Sequence, residues 1–199
     1  MKSVTLLFPG QGSQYVGMGN QLKEIDKSVF EKADIALGFS ISNLMSEGPD
    51  ERLALTEFTQ PAIVTHSMAL FEALKDELDK LDIKIDRVLG HSVGEYSALI
   101  AAGALTLEDG VKAVNMRGKF MQDACPAGVG AMYAILRVPG DIVAKACEEV
   151  STDDAKVMCA NYNDATQVVI SGHKEACEKA VTWLSENFEG RQMAKELNV

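Results

Sequence analysis

The sequence predicts an α/β chain in two parts, on three observations. An apolar strand over 4–8 runs straight into Pro9-Gly10 and glycine-rich turn chemistry that lasts to Gly19. Strand, turn and helix then alternate as far as residue 124, the pattern of a parallel sheet covered by helices. From Gly130 the order becomes β-α-β-β-α-β, the split βαβ or ferredoxin-like unit. The segment Pro126-Ala127-Gly128-Val129-Gly130 separates the two textures, dividing the chain into 1–125 and 126–199.

Each element has its own signal. Helical periodicity covers 28–37 and 61–78; in the second, apolar residues fall at 63, 64, 68, 70, 71 and 74. Pro61 suits the first turn of that helix and Thr59 its cap. A strand over 87–90 follows, then helices over 94–102 and 107–124. In the second part strands are expected at 131–137, 157–162, 167–171 and 192–199, with helices at 140–150 and 174–187. Asn163-Asp164-Ala165-Thr166 joins the middle strands. No internal repeat or low-complexity segment interrupts this order.

Composition excludes several function classes. With 199 residues, 47% of them apolar, there is ample material for a core. A net charge of −10 opposes non-specific binding to nucleic acid or to anionic membranes. An anionic substrate would need a local cationic site against that field. Cys125, Cys147, Cys159 and Cys177 never form C-x-x-C, and His66, His91 and His173 never form H-E-x-x-H, so no metal site is expected. The thiols read as reduced residues in or near the core of a cytoplasmic protein. The apolar stretch at 4–8 is too short for a signal peptide, and no run approaches a membrane span.

The stretch "VLGHSVGEYSAL" (88–99) carries the chemistry. It holds G-x-S-x-G between a strand and a helix, the context of a nucleophile elbow with Ser92 at its tip. Gly90 and Gly94 allow a sharp turn without a Cβ in the way. The alternative is a plain strand-to-helix connection with Ser92 as a cap. A serine needs a base, and none of the three histidines is a convincing one. His91 is adjacent to Ser92 but splayed from it by the turn, His66 lies in a helical apolar pattern, and His173 reads as surface.

A second loop, "FPGQGSQYVGMG", fails as a dinucleotide fingerprint because Tyr15 stands at the last glycine position, and as a phosphate loop because Met18 follows Gly17. Gly10-Gln11-Gly12 either supplies a backbone N–H to an oxyanion hole, beside that of Val93 after the nucleophile, or merely reverses the chain. In the helix over 107–124 the apolar stripe at 107, 111, 114, 121 and 124 brings Arg117 or Gly118 to the same face. An inward arginine needs a partner: a carboxylate such as Glu95, or an anionic substrate group held by two parallel hydrogen bonds. A snorkelling arginine at a domain seam fits the periodicity as well.

Together these residues resemble one family, the malonyl-CoA:acyl carrier protein transacylases and related acyltransferase domains of polyketide synthases. The matching stretches are "FPGQGSQYVGMG", "TEFTQPAIVTHSMAL", "GHSVGEYSALIAAGAL", "VNMRGKFMQ" and "QVVISG", in the family's order. The resemblance implies that Ser92 is acylated, that the Gln11 and Val93 amides form the oxyanion hole, and that Arg117 holds the malonyl carboxylate. It implies an α/β-hydrolase-like large subdomain, present in part over 1–125, and a ferredoxin-like small subdomain over 126–199. Malonyl-CoA would be the thioester substrate, acyl carrier protein the partner, and no cofactor would be tightly bound. Carrier proteins of this kind are acidic, so docking would need a basic patch, for which Lys119 near Arg117 is a candidate. Val93 after the serine leans towards malonyl over methylmalonyl.

Members of the family continue beyond "KELNV" with a turn carrying the catalytic histidine. The chain therefore reads as C-terminally truncated, without its base, with little turnover of its own and a face open to self-association. The rival readings are a serine esterase or thioesterase sharing the elbow, and a non-catalytic binding module.

Overall fold

Residues 2–124 and 129–197 are described by a computed structural model. The chain divides into two units, Met1–Asp123 and Ala124–Val199. The expected junction at 125/126, with Cys125, lies outside the described residues, as do the last two positions of the strand expected over 192–199.

The first unit is built on two parallel strands, β1 (Lys2–Phe8) and β2 (Ile83–Gly90). Between them the chain forms α1 (Asn20–Ile25), α2 (Ser28–Leu37), α3 (Ile41–Glu47), α4 (Asp50–Leu53) and α5 (Thr56–Lys80). After β2 come α6 (Gly94–Ala101) and α7 (Leu107–Ala124). Phe30, Ile41, Met45, Leu53, Ile63, Val64, Val93 and Val111 are fully buried and make the centre of its core. One face of the sheet stays open: Leu7 and Leu89 sit opposite each other and are 74% and 54% exposed. Leu7 continues into an apolar cleft of about 240 Å³ with His66, Leu70, Phe71 and Leu74.

The helix expected to start at Pro61 starts at Thr56, and Pro61 lies inside it. Thr59 is therefore no cap; it is buried, and its hydroxyl donates to the Leu53 carbonyl. Proline is tolerated there because its costs are met locally. Pro61 has no N–H to give the Glu57 carbonyl, four residues back. The Asn115 side-chain amide gives that oxygen its hydrogen bond instead, at 2.8 Å. The stripe on α5 also differs from expectation at its far end, where Leu70 and Leu74 are exposed in the cleft.

The second unit runs β3 (Gly130–Leu136), α8 (Gly140–Val150), β4 (Val157–Asp164), β5 (Gln167–His173), α9 (Lys174–Asn187) and β6 (Met193–Glu196). Its four strands are antiparallel in the order β4-β5-β3-β6. Ile135, Val168 and Ile170 from the sheet pack with Val143 and Cys147 of α8 and with Cys177 and Leu184 of α9. Among the described residues no helix is long and apolar enough to cross a membrane.

Candidate active site

Ser92 stands between β2 and α6 with φ at 52°, in the left-handed region that a side chain adopts only under constraint. The two flanking glycines supply the constraint. A Cβ on Gly90 would run into the Gly94 carbonyl and the Glu95 amide, and one on Gly94 into the Phe8 carbonyl. The His91 amide donates to the Phe8 carbonyl at 3.0 Å, which ties the turn to the end of β1. Behind Ser92 the helical ladder begins, with Gly94 donating to His91 and Glu95 to Ser92. Val93 is the residue that caps α6 and is fully buried, whereas Ser92 is exposed. Its N–H precedes the helix's own ladder, at the positive end of the helix dipole.

The glycine loop after β1 meets this turn directly. A Cβ on Gly10 would come within 2.6 Å of His91 Nδ1, so the two loops approach more closely than any other residue at position 10 would permit. Gln11 is exposed, and its side-chain amide donates to Thr56 Oγ1 at 3.4 Å, at the start of α5. The Ser13 hydroxyl donates to the Gly10 carbonyl at 3.0 Å and tightens the turn.

α7 buries Gly110, Val111, Val114, Asn115 and Gly118, so the glycine and not Arg117 takes the central position on its inner face. Gly118 packs on the first turn of α5, where a Cβ would lie 2.6 Å from the Thr56 carbonyl oxygen. Arg117 sits half-buried at the edge of that stripe. Its Nη1 donates to Gln60 Oε1 at 2.8 Å and its Nη2 to Ser92 Oγ at 3.2 Å. Gln60 is itself completely buried, and its own amide turns to Met121 Sδ.

The carboxylate partner considered for Arg117 is not there. Glu95 is exposed on α6, and no ion pair among the described residues involves Arg117. The Arg117 guanidinium donates to two neutral groups, the Gln60 amide oxygen and the Ser92 hydroxyl.

The remaining candidates fall elsewhere. His66 is half-buried in the apolar cleft, and burial holds its imidazole below the ordinary range. His173 is exposed in the second unit, its Nδ1 taking the Lys156 amide at 3.0 Å. Lys119 is exposed on α7. Cys147, Cys159 and Cys177 are free thiols, buried except for the half-buried Cys159. No cluster of three or more His, Cys, Asp or Glu residues among the described residues could hold a metal. Sequence reasoning passed over Gln60 and Asn115, and named Gly118 only as the alternative to Arg117 on the inner face of α7. A proline inside a long helical pattern was the available signal, since its orphaned carbonyl demands a donor from a neighbouring element.

Residues 5–199 match the family described as the acyl transferase domain. Over 201 residues the chain is 42% identical to the malonyl CoA-acyl carrier protein transacylase of Bacillus subtilis, covering all of this chain and 62% of the relative. It is 44% identical over 183 residues to the enzyme of the same name from Escherichia coli, covering 90% of this chain and 58% of the relative. Its fold superposes on the crystal structure of the Clostridium perfringens malonyl CoA-acyl carrier protein transacylase with a TM-score of 0.88 at 44% identity, covering 100% of this chain and 61% of that one. A malonyl-transacylase in complex with a type II PKS acyl-carrier protein gives 0.90 at 36% identity, with 100% and 63% covered. The chain thus spans about three-fifths of the length of these proteins.

Proposed function

The chain belongs to the acyl transferase domain family, and on that premise we propose that it carries the nucleophile and the acyl-carboxylate site of a malonyl-CoA:acyl carrier protein S-malonyltransferase. The observation that carries this reading is the Arg117 guanidinium, held only by neutral groups and 3.2 Å from Ser92 Oγ. A cation at that distance from a nucleophile suits an acyl group whose far end is a carboxylate.

In this reading Ser92 Oγ attacks the thioester carbonyl of malonyl-CoA while Arg117 binds the free carboxylate. Charge developing on the carbonyl oxygen is taken by the Gln11 and Val93 amides, a contribution typically worth about 10²–10³ in rate for one donor. The C–S bond then breaks, CoA leaves as its thiol, and the malonyl group stays on Ser92. The phosphopantetheine thiol of an acyl carrier protein takes it in the second half-reaction. The Ser92 proton goes to a general base, a role assigned to none of His66, His91 and His173. No tightly bound cofactor is called for, and the cytoplasm suits the free thiols.

The same reading assigns the first unit to the N-terminal part of an α/β-hydrolase-like large subdomain and the second to a ferredoxin-like small one, with the junction near 125/126. The sheet order β4-β5-β3-β6 supports the second assignment.

Intact-mass measurement during incubation with malonyl-CoA tests the function. Malonyl-CoA should label the chain on Ser92 alone, and Ser92→Ala should abolish the label. Labelling at another residue, or acetyl-CoA reacting as well as malonyl-CoA and equally in Arg117→Ala, would favour an esterase-like site.

A further inference from the structure

We propose that Arg117 is also a latch on the nucleophile, released only by an acyl group that brings its own carboxylate. The proposal rests on the reading of Arg117 as the acyl-carboxylate site and adds a regulatory step to it.

The geometry has two parts. Gln60, wholly buried on α5, fixes one end of the guanidinium through Nη1 at 2.8 Å. The other end donates from Nη2 to Ser92 Oγ at 3.2 Å. With the backbone of Ser92 set at φ 52° between Gly90 and Gly94, Oγ enters and leaves this bond by the side-chain torsion alone. While the bond lasts, a lone pair of Oγ is directed at a cation. That bond draws electron density from Oγ and leaves it a poorer nucleophile towards the carbonyl carbon.

A serine hydroxyl is a neutral acceptor, whereas a carboxylate is charged and takes two guanidinium N–H groups at once. An incoming malonyl carboxylate that takes the Nη2 N–H as one of its two bonds displaces Oγ, while Gln60 keeps the guanidinium in place. The freed hydroxyl turns a lone pair towards the thioester carbonyl and its proton towards the base. A neutral acyl group such as acetyl has nothing to exchange for Oγ, and Ser92 stays held. Selectivity then lies in the availability of the nucleophile as well as in the binding of the substrate.

The latch makes Ser92 a competitor of the carboxylate for Nη2, which binding can read without turnover. Malonate is titrated into the 199-residue chain, into Ser92→Ala and into Ser92→Gly, with affinity followed by NMR shifts of the backbone amides. Both variants should bind malonate about three- to tenfold more tightly than the unaltered chain, as one hydrogen bond no longer has to be exchanged. Glycine suits φ 52° and so guards against a folding defect in the alanine variant. Equal affinities, or tighter binding by the unaltered chain, overturn the latch. Malonate binding that survives Arg117→Ala, or is absent from all three chains, overturns the carboxylate-site reading itself, and the latch with it.

Discussion

Asn115 replaces the backbone donor that Pro61 lacks: its side-chain amide meets the Glu57 carbonyl at 2.8 Å. This single bond joins α7 to the first turns of α5 at the point where Gln60 and Arg117 also meet. Asn115→Ala would leave a largely buried carbonyl without a partner and should cost about 1–3 kcal/mol. Adding Pro61→Ala returns an amide to α5, so the double variant should recover most of that loss. A double-mutant cycle by urea unfolding measures the coupling. Strictly additive effects would mean that the two residues do not share the carbonyl.

Gln60 should govern how Arg117 presents its charge. Gln60→Leu keeps the buried volume but removes the acceptor for Nη1, and malonate affinity should fall by about tenfold. Gln60→Glu should bind malonate no better, for a different reason. Its carboxylate would hold Arg117 firmly but neutralise the charge meant for the ligand. Titration of both variants decides the matter, and a Gln60→Glu chain that binds malonate as well as the unaltered one counts against the role given to a neutral partner.

His66 predicts a pH dependence of stability. Burial in the cleft lowers its folded-state value below the ordinary 6.5. Between the two values the unfolded chain holds the proton more often than the folded one, so stability falls as pH drops through 6.5 and levels off below the folded value. His66→Leu suits the apolar lining and removes the proton. Its melting temperature should fall less steeply from pH 7.5 downward, in thermal melts across a buffer series. Identical slopes would place the acid sensitivity elsewhere.

The thiols of the second unit should be sluggish. Burial pushes Cys147 up to about 12 and Cys177 up to about 11. The thiolate is the reactive form, and both stay protonated near neutrality. Iodoacetamide at pH 8 should therefore spare both in the folded chain and modify both in urea, as peptide mass mapping would report. Equal rates in the two conditions would contradict the burial of these side chains.

Four amphipathic helices were readable to the residue: Ser28–Leu37, Leu107–Ala124, Gly140–Val150 and Lys174–Asn187 stand where periodicity puts them, whereas α5 begins five residues before its expected start. The short ones were not. α3 and α4 offer seven and four residues, too few for a period, and α3 depends on capping by Ser40, whose hydroxyl accepts from the Asn43 amide. The elbow was legible because sharp turns are written in glycine. The partner of Arg117 was not, since Gln60 lies 57 positions away and reaches it only through the packing of two helices. A carboxylate was the natural guess for a half-buried cation, and the molecule uses an amide.

The side-chain hydrogen bonds around Ser92 and Arg117 join positions 11 and 56, 57 and 115, 60 and 117, 60 and 121, and 92 and 117. None of these bonds involves a residue beyond 121. A recombination that exchanged everything after residue 124 for the corresponding segment of a relative would cut no bond among them. In a library of such chimeras these side-chain bonds are inherited whole from the first parent. Acyl preference should travel in such chimeras with the first parent.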